Sequence, residues 1–389
     1  MAAQLIAMSV DILRIYVLWD PKSAHGERVA SLIATHFDGL GMERDGVSFR
    51  VPVRFRTEPW TGSGAPREID LGIAKHNAIV LLHDEDMHES RDIWEPYVSE
   101  LKESIAARGN DVYIPFGSPT RTPHLSCDRA GNIQYARRDL WQSLPSIDAK
   151  DNRLLLHLIW TIRNHLRSLS GEIRSEPLFV SHAKADGDDA AKSIVNFVND
   201  PGHDVPLDTF YDAMELVPGE DFEARFEREI SHGTLLALVS DTYDSRPWCV
   251  YELTTAKRKR RPIVVADLGR VRTSRTYPYG SNLPRIRVMP MPGDTSWIEP
   301  LLVQALSEGL RCDLCVTQAV QAATSANIFE VVAFPRPPEL FDIIDASDSL
   351  PNCVVYPDPP LGRLETELLS KAISLTGKEI QLKTVGELS

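Results

Sequence analysis

The stretch LVSDTYDSRPWCVYEL, from Leu238 to Leu253, decides the fold of the second half of the chain. Its first residues end an apolar run, Thr234 to Val239, which is typical of a buried strand. Its last residues place Trp248 and Glu252 four positions apart, on one face of a predicted helix from Trp248 to Lys259. A buried strand that leads through a short polar loop into a helix indicates one β-α unit of a parallel sheet.

The residues before and after this stretch repeat the alternation of strand and helix. Strands are predicted at Leu178–Val180, Leu207–Tyr211, Thr234–Val239 and Ile263–Ala266, and helices at Asp188–Val198, Phe222–Ile230 and Trp248–Lys259. Parallel strands need long crossover connections, and helices usually provide them. The second half is therefore predicted to be α/β, with a parallel sheet flanked by helices.

The first half shows the same order of elements. REIDLGIAKHNAIVLLHDED, from Arg67 to Asp86, parallels REISHGTLLALVSDTY, from Arg228 to Tyr243, and each leads into a helix with a tryptophan near its start. Such self-similarity indicates a duplicated fold. The predicted elements are strands at Leu13–Leu18, Phe49–Phe55, Ala78–Leu82 and Val112–Phe116, helices at Ala24–Phe37 and Asp92–Ala107, and a helical pattern that reaches Lys75.

Four segments are expected: an α/β domain over residues 1–135, connecting helices over 136–172, a second α/β domain over 173–292 and a small C-terminal α/β extension over 293–389. The connecting segment has a helical pattern from Leu140 to Leu169. The extension is predicted to hold helices at Ile298–Leu310 and Leu361–Leu369 and strands near Phe329–Phe334 and Cys353–Tyr356. It either completes the fold or holds a nucleotide signal or a partner, and the residues leave this open.

Polar residues suited to a binding site gather in three stretches of the second half. LFVSHAKADGDDA, from Leu178 to Ala190, puts Ser181 and His182 at the carboxyl end of a strand, where open α/β sheets bind ligands. DTFYDAMELVPGEDF, from Asp208 to Phe222, puts a Pro-Gly pair just before a helix, whose N-terminus suits an anionic group such as a diphosphate. The third is the stretch quoted first, which adds a carboxylate on a helix.

These three stretches resemble the three characteristic boxes of TIR domains, the Toll/interleukin-1 receptor type. Trp248-Cys249-Val250-Tyr251-Glu252 resembles the Trp-x-x-x-Glu pattern of the enzymatic members, and the resemblance runs from about Pro177 to Lys259. It implies flavodoxin-like parallel sheets. In the enzymatic members it also implies hydrolysis of NAD or its conversion to cyclic ADP-ribose isomers. Bacterial relatives of this type often act in antiphage defence and need self-association to complete the site.

The resemblance also assigns roles to residues. Glu252 is implied to be the catalytic carboxylate, and Trp248 is implied to pack beneath it and to take part in substrate binding. Contact with the nucleotide is implied for Ser181, His182 and Ala183. The wall of the site is implied to consist of Phe210, Tyr211, Asp212 and the Leu216–Asp221 loop with Gly219. Taken singly, Trp248 is more typical of a core residue and Asp212 of a helix cap, and His182 fits a loop without a role equally well.

The chemistry of NAD cleavage requires such a carboxylate. Breaking the bond between nicotinamide and ribose expels a neutral leaving group and builds an oxocarbenium-like ribose, which a nearby negative charge stabilises. Replacing Glu252 is therefore expected to abolish turnover without unfolding the protein. NAD is expected as a substrate, with no cofactor and no metal.

The first half departs from the pattern where the chemistry needs it. When the halves are aligned on tryptophan, Trp94-Glu95-Pro96-Tyr97-Val98 puts Val98 at the position of Glu252, and Trp19-Asp20 replaces Ser181-His182. Glu100 lies about 200° around the helix from Val98, so it should not substitute. The first half is predicted to be a degenerate TIR-like domain that regulates or dimerises.

Composition limits the class of protein and its partners. The chain has 389 residues and a formal net charge of −13, so nucleic acid is not expected to bind directly. Its five scattered cysteines suit the reduced thiols of the cytosol. No run reaches the roughly 18 apolar residues of a membrane helix, so a cytoplasmic protein with no membrane partner is expected.

Two local motifs are not expected to form binding sites. Cys312 and Cys315 form a lone C-x-x-C that does not predict a metal site. The basic run Lys257–Arg261 is expected to be a solvated helix end.

The observations together predict an NAD glycohydrolase or ADP-ribosyl cyclase. It is expected to form homo-oligomers through TIR domains and to respond to a regulatory nucleotide or a protein trigger. Two alternatives stay open, a non-enzymatic TIR adaptor and a hydrolase of another nucleotide. A carboxylate in one half alone favours an enzyme, because a pure adaptor has no need of that asymmetry.

Overall fold

A computed structural model describes residues 11–38, 50–59, 64–171, 177–210, 222–269, 280, 282–344 and 351–388. The chain divides into two compact units, Met1–Leu169 and Ser170–Ser389. Both contain parallel strands flanked by helices, which confirms the predicted α/β class with flavodoxin-like parallel sheets. The four segment limits and the count of two tandem TIR-like domains stay predictions.

The first unit contains a four-stranded parallel sheet in the order β2-β1-β3-β4. Its strands are β1 (Asp11–Leu18), β2 (Val53–Arg56), β3 (Ala74–Leu82) and β4 (Val112–Phe116). Its helices are α1 (Ala24–Asp38), α2 (Glu85–Glu89), α3 (Arg91–Arg108), α4 (Ser126–Ala130) and α5 (Ile147–Leu169). The strand predicted from Phe49 begins outside the described residues.

The helical pattern predicted to reach Lys75 is wrong. Leu71–Ile73 form a single 3-10 turn, and Ala74 already pairs with Asp11 of β1. The strand β3 lies between β1 and β4, so hydrogen-bond ladders on both sides hold it extended. Tertiary pairing of this kind overrides a local helical pattern.

The TIR-like part of the second unit contains a five-stranded parallel sheet in the order β6-β5-β7-β8-β9. Its strands are β5 (Pro177–His182), β6 (Asp208–Phe210), β7 (Thr234–Val239), β8 (Ile263–Asp267) and β9 (Arg285–Arg287), and its described helices are α6 (Asp188–Asn199), α7 (Phe222–Ile230) and α8 (Pro247–Arg258). The first four strands follow the same spatial order as those of the first unit. Strand β9 is short and lacks an apolar run, so the sequence did not predict it.

A buried stripe runs along α8. Cys249, Leu253 and Ala256 recur at helical spacing and pack with Phe179 and Phe226. Glu252 lies within the same stripe and is 6% exposed. The periodicity that folds the helix against the sheet therefore also carries this carboxylate inward.

The C-terminal extension forms a three-stranded parallel sheet within the second unit. Its strands are β10 (Val331–Ala333), β11 (Cys353–Tyr356) and β12 (Gln381–Thr384), and its helices are α9 (Ile298–Ser325), α10 (Leu340–Ile344), α11 (Arg363–Leu375) and α12 (Val385–Leu388). The predicted end of its first helix at Leu310 is wrong, because α9 continues to Ser325. Ala319 and Ala323 lie in this added part and pack against β11 of the three-stranded sheet. The periodicity of the sequence does not predict that contact.

The basic run at the end of α8 is not the solvated helix end that was predicted. The Lys257 side chain is fully buried, and its Nζ lies 2.6 Å from Glu339 Oε1 of the extension. Arg336 donates to the Lys257 carbonyl at 2.6 Å, and the Arg260 guanidinium lies 4.2 Å from the centre of the Phe334 ring. Burial lowers the pKa of Lys257, while Glu339 opposes that shift. The extension therefore holds the C-terminal end of the helix that carries Glu252.

Cys312 and Cys315 lie on α9, fully buried beside an internal ion pair. Arg311 Nη2 lies 2.6 Å from Glu308 Oε1, and the Cys312 thiol donates to the same oxygen at 3.3 Å. Burial raises the pKa of both thiols. Within the described ranges, no group of three or more His, Cys, Asp or Glu residues could hold a metal ion. The helices searched in those ranges include none long and apolar enough to cross a membrane.

Candidate functional site

The carboxyl edge of the second unit's larger sheet brings together residues from two neighbouring strands and α8. The strand β5 ends with Ser181 and His182, which pair in register with Ala237 and Leu238 of β7. The chain leaves β7, passes through a short 3-10 turn at Tyr243–Ser245 and enters α8. Parallel strands end at one edge, so residues far apart in sequence meet there.

Three buried side chains form a hydrogen-bonded chain at this edge. Ser181 Oγ donates to Glu252 Oε2 at 2.5 Å, and Tyr243 Oη lies 2.7 Å from Ser181 Oγ. A serine hydroxyl has one proton, and here it goes to the carboxylate, so Tyr243 must be the donor to Ser181. Ser181 is 1% exposed and Tyr243 is wholly buried. The carboxylate is therefore held by a hydroxyl that is itself held by a second one.

The surroundings of Tyr243 keep it protonated. Burial raises the pKa of its phenol well above the ordinary value, and the charge of Glu252 raises it further. Burial and the same carboxylate raise the pKa of the Cys249 thiol to about 12, and its Sγ lies 3.4 Å from the His182 carbonyl. Both groups are neutral at pH 7. Cys249 is thus a packing residue and not a thiolate nucleophile.

The loop after β5 is tied to the loop after β7 through one carboxylate. Asp186 accepts from Ser240 Oγ at 2.5 Å, from Thr242 N at 3.0 Å and from Thr242 Oγ1 at 2.6 Å. Burial raises the pKa of Asp186, but these hydrogen bonds outweigh it, so the net shift is downward. Neither Asp186 nor Tyr243 was singled out from the sequence, because an acidic loop residue and a loop tyrosine carry no spacing signal.

The residues expected to contact the nucleotide lie at this edge. Ser181 faces Glu252, and Ala183 is buried, with its carbonyl accepting from Gly187 N at 2.8 Å. His182 is 9% exposed, and its Nε2 lies 3.5 Å from Asp188 Oδ1 at the start of α6. The structure therefore brings these three residues together with Glu252 but places the Ser181 hydroxyl inward.

The residues expected to wall the site lie mostly outside the described part of the chain. Tyr211, Asp212, Gly219 and the whole Leu216–Asp221 loop fall there. Phe210 is the last residue of β6, and its backbone pairs with Phe179 of β5. This pairing puts Phe210 beside β5, the strand whose last residues are Ser181 and His182.

Trp248 does not lie where the sequence suggested. Its side chain is 52% exposed, and its ring packs edge-on against Tyr251, with ring centres 5.8 Å apart. The expectation of a core tryptophan packed beneath Glu252 is therefore wrong. Trp248 is the second residue of α8, which begins at Pro247.

The carboxyl edge of the first unit's sheet is filled differently. Trp94 Nε1 donates to buried Asp20 at 3.0 Å, and Val98 is fully buried. His83, which follows β3, is also fully buried, and neither of its ring nitrogens has a hydrogen-bond partner among the described residues. Burial, helped by the charges of neighbours led by His124, lowers the pKa of His83 to about 4. The indole of Trp94 and the neutral imidazole of His83 occupy this edge, and Val98 has no carboxylate to offer at the position of Glu252.

Comparison with protein families matches residues 178–287 to the TIR domain. The chain contains a TIR domain. The matched range begins in β5, includes the edge with Ser181 and Glu252 and ends at the last residue of β9. TIR domains include NAD-cleaving enzymes and adaptors, and the match does not distinguish them.

Comparison with curated proteins found no match to the chain. Among solved structures, the crystal structure of tagatose-6-phosphate ketose/aldose isomerase from Escherichia coli is similar at 11% identity, over 78% of this chain and 83% of that chain, with a TM-score of 0.22. So weak a likeness carries no argument about fold or function.

Proposed function

We propose that the TIR domain cleaves the bond between nicotinamide and ribose in NAD, as a glycohydrolase or an ADP-ribosyl cyclase. The observation that carries the proposal is the position of Glu252. It is a buried carboxylate at the ligand-binding edge of the TIR sheet, held by Ser181 at 2.5 Å. NAD enters as a substrate, and the proposal requires no cofactor.

The environment of Glu252 suits the stabilisation of developing positive charge. A negative charge at the border of a low-dielectric interior acts more strongly on an oxocarbenium-like ribose than it would in water. Because Ser181 and Tyr243 already orient the carboxylate, little reorganisation is needed when the charge develops. The proposed mechanism therefore uses a fixed negative charge and leaves the departing nicotinamide neutral.

The rest of the chain fits a regulatory role in this proposal. The first unit has Val98 where the TIR domain has Glu252. Glu339 of the extension forms an ion pair with Lys257 at the C-terminal end of α8. We place the first unit and the extension as regulators of a site that self-association completes, in response to a nucleotide or protein trigger. By family resemblance, the setting is bacterial antiphage defence.

The test is a comparison of NAD loss and nicotinamide release for the wild type, Glu252→Gln and Glu229→Gln, at high protein concentration with a crowding agent. Glu229 is a matched control, because it lies at the C-terminal end of α7, next to the opposite edge of the same sheet. We expect turnover by the wild type and by Glu229→Gln, and loss of at least 100-fold in Glu252→Gln, on the scale of other electrostatic catalytic groups. Chromatography of the product distinguishes ADP-ribose from a cyclic isomer.

Equal background signals from all three proteins, in purified form and in phage-infected cells that express them, would reject NAD cleavage. A panel of other nucleotides then separates a different hydrolase from a non-enzymatic adaptor.

A further inference from the structure

The helix α11 of the extension leaves an apolar stripe on its outer face. Leu364, Leu368 and Leu375 are 66%, 62% and 89% exposed. The helix is anchored to the extension through residues on another face, namely Leu369, Ala372 and Ile373. Scattered surface leucines are normal, but several along one helical face indicate a contact surface.

The spacing of the stripe is that of a coiled-coil seam. Positions 364, 368, 371 and 375 are separated by four, three and four residues, which is the alternation of a and d positions in a heptad. Lys371 takes the remaining position of this seam. A lysine stem can cover apolar surface while its ammonium group stays in water. The outer face of α11 therefore has the pattern of a helix that packs on a second helix.

The charges along α11 show which orientation of a partner helix fits. In its N-terminal half Glu365 and Glu367 outnumber Arg363, and Lys371 is the charged residue of its C-terminal half. Glu367 has a loose contact of 3.9 Å with Arg363, and no described residue forms an ion pair with Lys371. An antiparallel copy of this helix brings acidic half against basic half, whereas a parallel copy opposes like charges.

We propose that α11 is the docking surface for a second copy of this chain, bound antiparallel about a two-fold axis. An axis that passes between Leu369 and Ser370 puts Leu364 opposite Leu375 of the partner subunit, and Leu368 opposite Lys371 of the partner subunit. Lys371 then lies next to the partner's Glu367. Because a two-fold interface repeats every contact, two such pairs form. The proposal is independent of whether the TIR domain cleaves NAD.

The interface is small for a permanent dimer. A standard interface buries about 800 Å² on each partner, and one 13-residue helix offers less. The expected dimer is therefore weak and depends on concentration. Such a contact adds an association surface outside the TIR domain.

The first test is sedimentation of the full-length chain over a range of concentrations. We expect a monomer–dimer equilibrium that Leu368→Asp weakens at least tenfold in Kd. Leu140→Asp is the matched control, since Leu140 is a leucine of the first unit that is 52% exposed and lies outside the stripe. A wild type that stays monomeric at the highest concentration overturns the proposal, as does a dimer that Leu368→Asp leaves unchanged.

A charge exchange tests the orientation with substitutions that bury nothing new. Glu367→Lys and Lys371→Glu each oppose like charges in the homodimer, and each should weaken it about tenfold. In an equimolar mixture, each of the two contacts of the heterodimer pairs a positive with a negative side chain. Mixing should therefore restore dimers close to the wild-type level. Both variants must fold for this rescue to occur. If each variant is monomeric and the mixture stays monomeric, the antiparallel α11 interface is refuted.

Discussion

Replacing Ser181 with alanine removes the hydroxyl that donates to Glu252 at 2.5 Å. Both side chains are buried, so the carboxylate loses a donor that solvent does not readily replace. A hydrogen bond to a charged group contributes about 1.5–3 kcal/mol. If this orienting bond stabilises the transition state of NAD cleavage and not the bound ground state, its loss should lower kcat roughly 10- to 150-fold, at about 1.4 kcal/mol for each factor of ten.

Ser181 acts in this mechanism through Glu252 and is a positioning residue, so KM should change little. Tyr243→Phe removes the donor to Ser181 together with a longer contact of 3.4 Å to the Cys249 carbonyl, and a neutral hydrogen bond of about 1 kcal/mol predicts a roughly fivefold fall in kcat. Ser193→Ala is the matched control, because that serine on α6 bonds to a carbonyl of its own helix and should leave kcat unchanged.

The assay is steady-state release of nicotinamide by the wild type and the three variants, with circular dichroism to verify folding. A raised KM with unchanged kcat in Ser181→Ala would refute the positioning role and make the serine a direct substrate contact. A larger loss in Tyr243→Phe than in Ser181→Ala would contradict the order of the hydrogen-bonded chain.

Two further predictions concern stability. Lys257→Met leaves Glu339 without its buried cation and should lower the free energy of unfolding of the second unit by about 3 kcal/mol. The double variant Lys257→Met with Glu339→Gln should lose much less stability than the sum of the losses in the two single variants. Urea titrations of the wild type, the two single variants and the double variant measure these losses, and additive losses would contradict the coupling. Because the pKa of His83 falls from 6.5 to about 4 on folding, its neutral form stabilises the first unit fully above pH 6.5, and that stability is lost as pH falls towards 4, by at most about 3 kcal/mol. The urea midpoint should therefore decline less steeply with falling pH in His83→Leu than in the wild type. Part of the slope should remain, because the pKa values of His25 and His36 are also lowered to about 4. Parallel pH profiles of the two proteins would rule out this role of His83.

The elements that the sequence predicted best have uniform local signals. Val112–Phe116, Phe222–Ile230 and Thr234–Val239 have the limits that were predicted, because a single apolar run or one helical period extends over each element. The errors arise where a distant partner decides. Ala74 belongs to β3 because it pairs with β1. The helix α9 extends past Leu310 because the small residues Ala319 and Ala323 pack against the three-stranded sheet of the extension.

The candidate site follows the same division. Sequence alone put Ser181 and Glu252 at one edge, since both follow the ends of parallel strands. It could not reveal that Tyr243 holds Ser181 across 62 positions, or that Asp186 ties two loops together.

Order along the chain and local periodicity thus determined the α/β class and the repeated order of strands and helices, and the resemblance to the TIR boxes identified the candidate carboxylate. Tertiary structure decided which polar groups are buried and what they bond to: Glu252 and Lys257 inside, Trp248 at the surface. The physical reason is that a strand or helix period depends on neighbours a few residues away. The burial of a side chain depends on which distant segment packs over it.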